Sequence, residues 1–138
     1  MKIKEKSAKI KVLGFLFLFT FVFTLTANAQ FNLQETTTIA SGSSTSARID
    51  LKDWKLAAIV FPSAFTGTSV TISTSADTTS ANFKVVQYDG SDLSVTVALN
   101  KLCGIPPSKA NQLLRYIKII SNGTEAAQRT LTIVRTKF

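Results

Sequence analysis

Cys103, the aspartates at 50, 53, 77, 89 and 92, and the glutamates at 35 and 125 are the side chains beyond residue 30 with which chemistry could start, and the chain has no histidine. A cysteine becomes a nucleophile when a neighbouring base or cation lowers its pKa. Without imidazole, Cys–His and Ser–His pairs and histidine metal ligation all fall away. A single cysteine also removes an intrachain disulfide and any multi-cysteine zinc site. Cys103, in Lys101-Leu102-Cys103-Gly104, therefore reads as a small buried apolar residue, with pairing to a second chain as its one redox option.

The carboxylates point the same way. Asp77, Asp89 and Asp92 fall in or beside predicted loops, where carboxylates can hold calcium, a cation that takes about six to eight oxygens. Asp89-Gly90-Ser91-Asp92 offers only two, and Asp-Gly is already a turn signal, so turn chemistry is the better reading. Glu35 and Glu125 are too far apart in sequence to be nominated as the paired carboxylates of a glycoside hydrolase. The sequence thus argues against an enzyme, assigns no catalytic or metal-binding residue and calls for no cofactor.

Binding by aromatic stacking remains. Trp54, Tyr88 and Tyr116 are candidate ligand-contact aromatics, able to stack on sugar rings if exposed. Trp54 opens an apolar run and is expected in the core; Tyr88, beside the Asp-Gly turn, is the better candidate for exposure. Thr66–Ser80 holds ten Ser/Thr in fifteen residues, a hydroxyl-rich face suited to non-catalytic contact.

The elements that must position these groups are strands. Trp54–Phe61 is apolar on both faces beyond Lys55, as a central strand is. Thr68–Ser75 alternates Val70 and Ile72 with hydroxyls, and Asn82–Tyr88 and Asp92–Leu99 flank the Asp89-Gly90 hairpin signal. Leu93, Val95, Val97 and Leu99 share one face of the second arm. Leu113–Ser121 places Ile117 and Ile119 on one face, and Thr130–Thr136 turns Leu131 and Ile133 inward. Ser108–Leu114, after Pro106-Pro107, predicts a single helical turn capped by Ser108. Thr36–Ser46, with eight Ser/Thr in eleven residues, reads as a linker or as an edge strand followed by a loop. The whole predicts one all-β domain over residues 47–138, an antiparallel, jelly-roll-like β-sandwich.

Charge is unevenly placed. The 16 basic and 8 acidic residues give +8, but five lysines against Glu5 in residues 1–11 carry half of it. Val12–Leu25 follows without a charge, with Phe15, Phe17, Phe19, Phe21 and Phe23 at alternate positions, and then Ala27-Asn28-Ala29-Gln30. A basic start, an apolar run and a small-x-small end are the parts of a secretory signal peptide, cleaved after Ala29. The competing reading of residues 1–29 is an uncleaved anchor in the membrane through residues 12–27, short against the roughly 20 apolar residues of a full span. Beyond it no run of three basic residues occurs, so a nucleic-acid partner is not expected.

Several phrases in order carry a resemblance. Leu56-Ala57-Ala58-Ile59 leads into Phe61-Pro62-Ser63-Ala64-Phe65, then Val70-Thr71-Ile72-Ser73-Thr74-Ser75-Ala76-Asp77. Tyr88-Asp89-Gly90, Ile105-Pro106-Pro107, Arg115-Tyr116-Ile117-Lys118-Ile119 and Ala127-Gln128-Arg129-Thr130-Leu131 follow. Over about residues 50–138 the chain resembles a family of small phage virion-associated β-sandwich proteins. The resemblance implies a non-enzymatic virion structural or accessory role, with other virion or surface proteins as partners and a homo-oligomer left open. Family members usually begin with the domain, whereas this chain carries an apolar N-terminal segment. Either it belongs to a virion with an internal lipid layer, where that segment is an anchor, or it is an exported bacterial binding module of the periplasm or cell surface, for glycans or adhesion.

Overall fold

The computed structural model describes residues 32–137. The signal or anchor reading of residues 1–29, the Ala27, Ala29 and Gln30 cleavage site and the membrane contact through residues 12–27 lie outside the described residues. Among the described residues no helix is long and apolar enough to cross a membrane.

The strands are β1 (Asn32–Ile39), β2 (Ile49–Asp50), β3 (Lys55–Val60), β4 (Ser69–Ser75), β5 (Lys84–Val85), β6 (Gln87–Tyr88), β7 (Ser91–Asp92), β8 (Ser94–Thr96), β9 (Leu102–Gly104), β10 (Tyr116–Ser121) and β11 (Arg129–Thr136). Two large antiparallel sheets result, with β6 and β7 as a separate two-stranded ribbon. One has the order β1-β11-β3-β9; the other runs β2-β10-β4-β5, with β8 also on β4. In chain order β1, β3, β9 and β11 enter one sheet and β2, β4 and β10 the other, so the chain crosses between the sheets at almost every step except from β4 to β5 and β8. The orders β1-β11-β3-β9 and β2-β10-β4-β5 are those of a jelly roll. The closing pair, β1 with β11, joins residues as distant as Asn32 and Thr136.

Period-two alternation builds the core. Ile117 and Ile119 of β10, Leu131 and Ile133 of β11 and Ile72 of β4 are all 0% exposed. Leu56 and Ile59 of β3 both face inward although three positions apart. Ala57 is the extra residue of a bulge, where Leu56 opposes Arg135 and Ala58 opposes Val134. The bulge carbonyl of Ala57 accepts the Ile105 amide at 2.8 Å, which draws the chain after β9 against β3. Phe61 and Phe65 pack with ring centroids 4.9 Å apart and tilted by 52°, a favourable aromatic geometry.

The hairpin forms where Asp-Gly predicts it. Asp89 (φ 51°) and Gly90 (φ 76°) both adopt left-handed backbone between β6 and β7, as a type I′ turn requires. Its longer arms are broken into pieces because β4 has one free edge to share. β8 takes Ser69–Thr71 of that edge and β5 takes Ser73–Thr74. Ile72 sits at the fork, its carbonyl accepting from Val86 at 2.9 Å and its amide donating to Leu93 at 3.3 Å. The single expected face of Leu93, Val95, Val97 and Leu99 therefore does not persist. Leu93 is 1% exposed and Leu99, past the end of β8, is 44% exposed.

One further expectation is corrected. The helical turn α1 spans Pro107–Ala110 with Pro106 at its N-cap; Ser108 lies inside the turn. Proline lacks an amide and has a fixed φ, so it starts the turn one step earlier than a hydroxyl cap would. Residues 40–46 follow β1 as a loop, with the Gly42 amide donating to Glu125 O (2.8 Å) and the Ser46 amide to Ile119 O (2.9 Å).

Candidate functional site

The three aromatics nominated for ligand contact stand on separate elements, each half-buried and each under a cation. Lys137 Nζ lies 5.0 Å from the centre of the Trp54 ring and Lys109 Nζ 5.4 Å from that of Tyr88. Tyr116 has Arg48 at 5.5 Å and Arg115 at 5.0 Å. Trp54 is thus not a core residue, contrary to the sequence reading. It falls in the turn before β3, its amide bonded to Leu51 O at 3.0 Å, and Leu51, 2% exposed, takes the core position. Cations on ring faces are favourable in their own right, and they occupy the faces a sugar would use.

The aspartates serve turns and an ion pair. Asp77 accepts the Thr79 amide at 2.8 Å and Asn82 Nδ2–H at 2.7 Å. These bonds, the Thr79 amide foremost, hold its carboxyl below the ordinary value. Asp92 accepts from Gln87 Nε2 at 3.3 Å across the hairpin. Arg115 grips Asp50 with two parallel bonds of 3.0 Å. Mainly through that contact the Asp50 carboxyl falls from 3.8 to about 2. The folded value lies below the unfolded one, so the pair stabilises the fold in full above about pH 4 and is lost as pH falls towards 2. A carboxyl carbon titration by NMR should place the Asp50 midpoint near 2, and Arg115→Ala should return it towards 3.8. An unchanged midpoint in the variant would remove Arg115 as the cause. Among the described residues no three potential ligands converge as a metal site.

Glu125 ties three loops at one end of the sandwich. Its carboxylate is 0% exposed. It accepts the Thr66 amide at 3.0 and 3.2 Å, the Thr66 hydroxyl at 2.8 Å and Arg129 Nε–H at 3.1 Å. Its backbone holds residues 42 and 43 through bonds of 2.8 and 3.0 Å. Burial alone would raise the carboxyl; the Thr66, Arg129 and Gly67 hydrogen bonds outweigh it and hold the group below its ordinary value. Beside it Gly67 is tightly enclosed: an added Cβ would overlap Ser121 Oγ and lie 2.9 Å from the Phe65 ring, so a side chain there would displace one of them. The pairing is a structural pin with no exposed face for a substrate. Sequence pattern did not show it, because Thr66 and Glu125 are 59 residues apart.

At the β8–β9 side the sheets leave a cavity of about 400 Å³. Leu93 and Val95 line it from one sheet, Cys103 and Ile105 from the other, and Ala98 from the loop between β8 and β9. Lys101 and Lys109 also line it, and no carboxylate does. The Cys103 thiol donates to Ala98 O at 3.7 Å and accepts the Ala98 amide at 3.4 Å. At 8% exposure it is buried, as expected of a lone cysteine in a chain without histidine. The cavity itself was not legible, since its walls come from two sheets and a turn.

The fold is that of an all-β jelly roll. Comparison with family models, with curated proteins and with solved structures returns no match to this chain.

Proposed function

We propose that this protein is a non-enzymatic structural or accessory component of a bacteriophage particle, acting through protein–protein contacts. The observation that supports the reading best is the combination of jelly-roll strand order with a long open edge. β1 has only β11 as a strand neighbour. Its far end is tied by the Ala47 amide to Thr38 O at 2.8 Å and by the Ile39–Ser46 bridge. From Asn32 to Thr36 the outer edge has no strand partner in the described sheets. Such an edge is a template for a strand of a neighbouring protein. Jelly rolls are used repeatedly in viral coats, which is a fold-level analogy. The buried polar clusters add to it, because they fix loops rather than face solvent.

The reading is tested on intact particles with a lysine-reactive crosslinker. Lys52, Lys55 and Lys137, at the end of the sandwich where β1 begins, should be joined to other particle proteins. Crosslinks confined to this chain, or recovery of the chain only with the host envelope, would favour an exported binding module instead.

A further inference from the structure

The cavity between β8, β9 and α1 has a composition that the structural role does not use. Its volume, about 400 Å³, lies in the range of ligand sites, which are concave and mostly apolar with a few placed polar groups. Leu93, Val95, Ala98, Cys103 and Ile105 offer hydrocarbon and a thiol. Lys101 and Lys109 offer two positive charges on the same lining. Neither lysine makes an ion pair among the described residues. Lys109 is half-buried, its ammonium over the Tyr88 ring, so the charge of this lining residue is held in place. Two like charges bordering an apolar pocket without a carboxylate repel each other and attract an anion. Leu102, 62% exposed on β9, extends the apolar surface outward.

The geometry points to a binding site for a free amphiphilic anion, a hydrocarbon chain ending in a single carboxylate. The chain lies against Leu93, Val95 and Ile105, and the carboxylate meets Lys101 and Lys109. A neutral apolar ligand would leave both ammonium groups without a counter-charge, and a cationic one would be repelled. The site stands independently of the particle role, because it depends on the cavity lining and not on the β1 edge.

Cys103 is the only cysteine in the chain and lines the cavity, so its alkylation reads occupancy at this place in the full-length protein. Iodoacetamide labelling of Cys103 should slow about tenfold or more at saturating decanoate, and not at the same concentration of decyltrimethylammonium. In the double variant Lys101→Gln/Lys109→Gln the decanoate concentration giving half-protection should rise about tenfold or more, the loss of a charge-assisted contact. Added salt should raise it in the wild type and hardly at all in the variant. Lys101 is exposed and Lys109 only half-buried, and neither makes an ion pair among the described residues, so the variant should keep the fold, which its unchanged urea midpoint would verify. An alkylation rate indifferent to decanoate, equal protection by the cationic probe, or an unchanged half-protection point in the double variant would each overturn the assignment.

Discussion

Glu125→Ala should lower the unfolding free energy by about 3–5 kcal/mol, the usual cost of removing one partner from a buried ion pair. Urea unfolding followed by Trp54 fluorescence measures it. The size follows from what is left behind. The Thr66 amide and hydroxyl lose their acceptor, and Arg129, with 20% of its side chain exposed, keeps a charge with no carboxylate. The carboxyl lies below its ordinary value of 4.5 when folded. Its contribution is therefore complete above that pH and is lost as pH falls through the folded value. Glu125→Gln retains an acceptor for Thr66 but no charge for Arg129. The difference in stability between wild type and Glu125→Gln should be constant near neutral pH and shrink in acid. A difference that is flat down to acid pH, or a loss for Glu125→Ala within the small range of surface substitutions, would show that the pin does not hold the loops.

The second large effect is at Arg135. Inward-facing on β11 and 4% exposed, it crosses between the sheets, donating Nη1–H to the Asp50 carbonyl at 2.8 Å and Nη2–H to Glu35. Its Nε–H is buried without a partner. Arg135→Ala should cost about 3–5 kcal/mol by thermal or urea unfolding, since it leaves a cavity and strips Glu35 of its cation. A paired replacement, Arg135→Met with Glu35→Leu, should instead be neutral or stabilising, because apolar packing removes the desolvation cost of the charges. The orphaned Nε sharpens the contrast, as an unmet buried donor already weakens the native arrangement. If the double variant is as unstable as Arg135→Ala, the bond to the Asp50 carbonyl, not the ion pair, is what joins the sheets.

Local chemistry was the legible part. Ile117, Ile119, Leu131 and Ile133 alternate on long strands, and each is buried as its position implies. Asp89-Gly90 makes its turn because two left-handed residues suit a tight hairpin whatever surrounds them. Elements shaped by distant contacts were not legible. β2 and β9 are two and three residues long, too short to show a period. The fork at Ile72 breaks both hairpin arms, since two strands compete for one edge of β4, and no pattern within either arm reports that. Trp54 missed the core because Leu51, three residues earlier, occupies the place. Glu125 stood alone in the sequence as an unpaired acid, and its partners Thr66 and Arg129 meet it only after the sheets close. The cationic cavity is likewise assembled from β8, β9 and α1.

The proposal that this jelly roll works as a particle component comes down to where the protein resides. Particles banded on a density gradient, digested and quantified by mass spectrometry, should yield peptides from residues 32–137 at a constant ratio to the major coat protein across the band. Peptides that fail to follow the coat protein, or that appear only in the host envelope and the medium, would show that the domain serves elsewhere.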